Sequence, residues 1–81
     1  MIKKLSEFEI GDKGLVKQIL CNEVISRRMN DMGLIEGVEV ELVRVAPFGD
    51  PIQIELRGYQ LALRKHEAQN IITEVLLWSL H

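Results

Sequence analysis

Cys21, His66, Glu67 and His81 are the candidates in this sequence for holding a metal ion. A ferrous site commonly takes two histidines and a carboxylate, and a zinc site takes closely spaced cysteine and histidine. No pair among the four has such a spacing. His66 and His81 could share an ion with a nearby glutamate only if the chain end folded back, so no metal ligand is assigned. Cys21, just ahead of a helix start, could have a lowered pKa; a small, partly apolar core side chain is its simpler role. Covalent or acid–base catalysis needs a nucleophile beside a base, or paired carboxylates. Asp50 has no such companion in the sequence, so neither enzymatic activity nor a cofactor is expected.

The remaining chemistry is that of contact. Arg28 and Asp31 stand three apart, close enough to pair on a helix for a few tenths of a kcal/mol. Arg27 projects at another angle and could meet an acidic surface, although a solvated helix face is the simpler account of it. Ala46-Pro47-Phe48-Gly49-Asp50-Pro51 is a stiffer linker than two strands require, since a hairpin can close with about two residues. Pro47 and Pro51 fix φ near −65° and remove two backbone donors, so the loop cannot extend either strand's ladder. Gly49 supplies a corner, and Asp50 can accept from a nearby backbone N–H as an Asx turn. A barrel corner explains this loop by itself. A stiff mount for an exposed Phe48 would also suit docking, because little entropy is lost on binding. Pro47, Phe48, Gly49 and Asp50 are therefore candidate contact residues beside Arg27 and Arg28. Leu77 and Trp78 join them, because the tail 76–81 carries four large apolar side chains where a chain end is normally polar. Such a tail covers its own barrel, or else anchors a second copy or another partner.

The elements that must position these groups fit in 81 residues, enough for one domain with one small core. Apolar residues make up 47% and charged residues 27%, which argues against disorder. The net charge of −2 has the wrong sign for a nucleic-acid binder. One cysteine rules out an internal disulfide and fits a reducing compartment. No apolar run approaches the roughly 20 residues that span a bilayer, and the start lacks a signal-peptide core. A cytoplasmic domain is expected.

Ser6-Glu7-Phe8-Glu9 matches a capping box and predicts a helical turn there. Leu15 to Leu20 reads as a strand. Asn22 can cap a helix over about residues 23–32, whose apolar Ile25, Met29 and Met32 share one face. Gly33 would close it, with Leu34 packed on Met29 in a Schellman motif. Ile35-Glu36-Gly37-Val38 suits a type II turn. Val38, Val40 and Leu42 alternate with glutamates, after which the parity shifts to Val43 and Val45, as at a bulge or where a strand passes from one sheet of a barrel to another. Ile52, Ile54 and Leu56 form the next strand. Gly58-Tyr59 turns the chain, and Leu61 and Leu63 belong to its paired strand. Lys65 to Gln69 is a short helix-prone link, and Ile71 to Val75 a last strand. About five strands, one helix and tight turns predict a mainly β protein built as a small bent barrel.

Arg27-Arg28-Met29-Asn30-Asp31-Met32-Gly33-Leu34 with Gly37, the segment Ala46-Pro47-Phe48-Gly49-Asp50-Pro51-Ile52, and Leu61-Ala62-Leu63-Arg64-Lys65 together resemble FeoA, the family of ferrous iron transport protein A. The resemblance covers about residues 5–75, within a domain taken as residues 1–75, and leaves the apolar tail 76–81 outside. It implies an SH3-like barrel with an inserted helix. It also implies an accessory role beside the cytosolic region of FeoB, the membrane ferrous iron transporter with a GTP-binding domain. Contact with the membrane would then come only through that transporter, at its inner face, and a homo-oligomer is a further possible assembly. The family often has Pro where Glu36 stands, which weakens only the pre-set φ of that turn. The alternative is a metal-sensing or oligomerising module related to the C-terminal domain of metal-dependent repressors. No helix-turn-helix precedes residue 5, so this chain would not act as such a repressor by itself.

Overall fold

The computed structural model describes residues 1–76. Its strands are β1 (Ile2–Lys4), β2 (Lys13–Ile19), β3 (Glu39–Val45), β4 (Ile52–Leu56), β5 (Tyr59–Leu63) and β6 (Ile71–Val75). Helix α1 (Glu23–Asp31) joins β2 to β3, and the one-turn α2 (Lys65–Ala68) joins β5 to β6. All six strands pair antiparallel in the order β1-β6-β2-β3-β4-β5.

Alternation along the strands decides how this sheet curls. Val16, Val40, Leu42, Ile54, Leu56 and Ile71 are all buried in one cluster, although they come from strands far apart in the order. The sheet therefore wraps around a single core, with α1 adding the fully buried Met29 and the loop after it adding Leu34. Each such side chain contributes about 1.5–3 kcal/mol on leaving water. The bulge foreseen from the parity change is present, since the β3–β4 register shifts between Leu42 and Arg44.

Local signals place α1 as expected. The Asn22 side chain accepts from the Ile25 N–H at 2.9 Å. At the other end Gly33, at φ +94°, donates to the Asn30 carbonyl, and Leu34 donates to the Met29 carbonyl, both at 2.9 Å. These two bonds are the Schellman pattern. The type II turn also forms, with Gly37 at φ +90° and the Val38 N–H directed to the Ile35 carbonyl.

Three expectations need correction. The turn near the start is a 3₁₀ helix over Leu5–Glu7. Ser6 does not cap it; the one side-chain bond at its start is to Glu7, which accepts from the Lys4 N–H at 2.9 Å. The sheet has six strands because Ile2–Lys4 adds an edge strand to β6, for which three residues, two of them lysine, give no readable alternation. The β4–β5 hairpin turns at Arg57-Gly58, not Gly58-Tyr59: both residues have positive φ, and Leu56 faces Tyr59 across the closed pair.

Candidate functional site

The β3–β4 loop closes on itself. Gly49 donates to the Ala46 carbonyl at 2.8 Å, and Ala46 donates to the Pro51 carbonyl at 3.0 Å. Pro47 and Phe48 thus occupy the two central positions of a β-turn, where Pro is favoured at the first. The Phe48 ring is 99% exposed. Asp50 does not make the expected local Asx turn; its Oδ1 accepts from the Lys65 N–H at 2.9 Å, at the start of α2. A first-turn N–H has no partner within its own helix, so this bond satisfies α2 while anchoring the loop.

Helix α2 also holds the second candidate. Arg28 does not pair with Asp31. Its guanidinium reaches Glu67 Oε2 at 2.6 Å, while Glu67 Oε1 accepts from the Arg64 N–H at 3.0 Å. Glu67 is 8% exposed, so a residue weighed as a metal candidate is a buried carboxylate held by two donors. A helical i,i+3 pair lost to a partner that the fold brings in from 39 residues away. Arg27 lies on the exposed face of α1, 3.3 Å from Glu23 one turn earlier, a pair of small energetic weight in water. The loop and Arg28 are therefore joined through α2, whereas Arg27 stands apart from both. Leu77 and Trp78 lie outside the described residues. Leu76 does not: it is buried and donates to the Lys13 carbonyl at 2.9 Å, so the packed chain runs one residue past β6.

Cys21 is half-buried, and its thiol pKa is raised, chiefly by burial and secondarily by the Glu67 charge. A lowered, reactive thiol is thereby replaced by a more inert one. His66 is exposed. Among the described residues no three His, Cys, Asp or Glu side chains gather in a way that could hold a metal ion, and no helix is long and apolar enough to cross a membrane.

A shallow groove of about 180 Å³ beside the loop was not foreseen from the sequence; it is lined by Ala46, Pro47, Pro51, Ile52 and Ala62 with the polar Arg44 and Gln53. Arg44, Gln53 and Ala62 lie abreast on β3, β4 and β5. Only the register reveals this, because the bulge after Leu42 decides that Arg44 faces Gln53.

A small, strongly curved antiparallel barrel with a helix inserted after β2 is the SH3-like class of fold. Within that class the chain belongs to the FeoA domain family, which it matches over residues 3–75. It is similar to the FeoA protein of Chlorobium tepidum, at 36% identity and TM-score 0.87 over 91% of this chain and 70% of that one. Similarity extends to FeoA of Stenotrophomonas maltophilia, an SH3 domain protein complexed with zinc, at 28% identity and TM-score 0.71 over 91% and 89%. A protein of Porphyromonas gingivalis, in which Fe(2+) transport protein A is fused to the Fe(2+) transporter FeoB, is 29% identical over 73 residues. This chain spans 90% of its own length in that match and 9% of the fusion protein. A manganese-dependent transcriptional repressor shares the fold alone, at 19% identity and TM-score 0.84 over 93% of this chain and 37% of that one.

Proposed function

We propose that this chain is an accessory protein of ferrous iron uptake that docks on the cytosolic region of a FeoB-type transporter and modulates it. The observation that carries this reading is the fusion of the two proteins in one chain of Porphyromonas gingivalis. Fusion holds two modules at high effective concentration and favours contacts that are weak between separate chains. In either arrangement the contact itself must come from the domain's own surface. Phe48 is suited to supply it, being a large apolar ring on a loop already ordered by three hydrogen bonds, so docking orders little more. Arg27 offers an exposed cation to an acidic partner surface. The protein then works in the cytoplasm and reaches the membrane through the transporter.

Titration of the protein against the transporter's cytosolic region in each nucleotide state, and against full-length transporter in detergent, tests the reading. Saturable binding is expected. Absence of binding in all of these conditions overturns it. In cells lacking the protein, iron uptake is restored by the natural chain and less well by folded Phe48→Ala or Arg27→Ala variants; full restoration by both removes these residues from the contact.

A further inference from the structure

The Phe48 ring and the groove beside it form a knob and a hole on one face, and the knob does not fill its own hole. Phe48 is 99% exposed at the apex of the turn over residues 46–49. The groove is lined by the apolar Ala46, Pro47, Pro51 and Ala62, with Arg44 and Gln53 in the same cross-strand row as Ala62 and the buried Ile52 beneath. Ala62 is exposed and small, so the groove stays open where a larger side chain would close it.

We propose that this face pairs with a second copy of the chain across a twofold axis, the Phe48 of each copy entering the groove of the other. A twofold contact requires one surface to carry both complementary features, and this face carries them side by side. Charge supports the same occupant. Arg44 lines the groove and makes no ion pair among the described residues. In the pair it lies beside the partner's incoming ring, where a guanidinium is attracted to the aromatic face. The carboxylate of Asp50 travels on the same loop as that ring and brings a counter-charge to Arg44. Every feature is used twice, once in each direction.

The size of the contact sets its strength. Two aromatic rings bury roughly 150–250 Å² each, and with the loop backbones the total stays below the roughly 1,000 Å² expected of a lasting interface. The pair is therefore weak and reversible, populated where the protein is locally concentrated. It also hides Phe48, so a copy engaged in the pair cannot offer this ring elsewhere. Self-pairing does not depend on the transporter, and its test contains none.

Sedimentation of the full chain from micromolar to millimolar concentration is expected to show reversible dimerisation. Phe48→Ala removes the knob and Ala62→Gln fills the hole; each is expected to weaken dimerisation about tenfold or more, as truncation of a central aromatic anchor does. Circular dichroism confirms that both variants fold. Neither variant can make an insertion with a copy of itself, since one has no ring to insert and the other no groove to receive it. Mixed together they regain one insertion of the two, and the mixture is expected to associate more tightly than either variant alone. A wild-type chain that stays monomeric to millimolar concentration overturns the proposal. So do variants that associate like the natural chain, which would place the contact elsewhere, for example on residues 77–81. A mixture without recovery overturns the reciprocal arrangement.

Discussion

The Asp50 carboxylate and the Lys65 backbone N–H, 15 residues apart, are joined at 2.9 Å, and this bond ties the stiff β3–β4 loop to the first turn of α2. The loop is thus braced from outside as well as by its own prolines. Asp50→Ala is expected to cost about 1 kcal/mol, the usual effect of removing an acceptor from a helix start. Asp50→Asn, which keeps an acceptor, costs less. Urea denaturation measures both, and faster amide exchange at Gly49 in Asp50→Ala would show that the loop has lost its brace.

Arg28→Ala leaves the Glu67 carboxylate with one donor in a nearly closed site. Destabilisation of about 1–2 kcal/mol is expected, at the low end for a stranded buried charge because the Arg28 side chain is itself 64% exposed. Glu67→Gln relieves most of that loss in the double variant by removing the charge while keeping the bond from the Arg64 N–H. A double-mutant cycle in urea gives the coupling; additive effects would mean that the pair does not act as one.

Gly33→Ala sets a side chain at φ +94° and drives its Cβ into the Tyr59 hydroxyl, which itself donates to the Met32 carbonyl. The positive φ alone costs about 1–2 kcal/mol. Tyr59→Phe removes the first atom met, so the double variant is expected to lose less than the sum of the single losses. Thermal melts of the three variants check this.

Phe48→Ala is expected to leave stability within about 0.5 kcal/mol of the natural chain, since a fully solvated ring has no contact to lose. Phe8 is 7% exposed and lies against Gly14, so Phe8→Ala should cost about 3–5 kcal/mol. Equal losses at the two positions would mean that Phe48 packs in solution.

Because burial first and the Glu67 charge second raise the Cys21 pKa, alkylation of this thiol is expected to be slow at neutral pH. Its rate should rise at a higher pH than that of an unstructured cysteine peptide. Glu67→Gln shifts the profile down only part of the way. Linkage has the same sign: the protonated thiol belongs to the folded state, so its contribution is full below the unfolded thiol's pKa and fades as pH rises through the folded value. A rate profile matching the free peptide would refute the shift.

Interactions that close within a few residues could be read from the chain. Asn22 and Ile25, Gly33 and Leu34 with one carbonyl each, Gly37 and the parity change at Val43 all formed where the sequence placed them. Each depends on backbone geometry that a neighbouring side chain dictates. The stiffness of residues 46–51 was likewise legible, because proline fixes φ without outside help. What the loop grips was not: the Asx turn expected at Asp50 gave way to Lys65, and the helical partner expected for Arg28 gave way to Glu67. Both carboxylates found donors that only the closed sheet brings near, and at the buried Glu67 this made the distant bond worth more than a solvated local one. Strand β1 and the groove at Ala62 belong to the same class. Three residues at an edge carry no period, and a groove whose walls come from β3, β4, β5 and their loop exists only once the register between those strands is set.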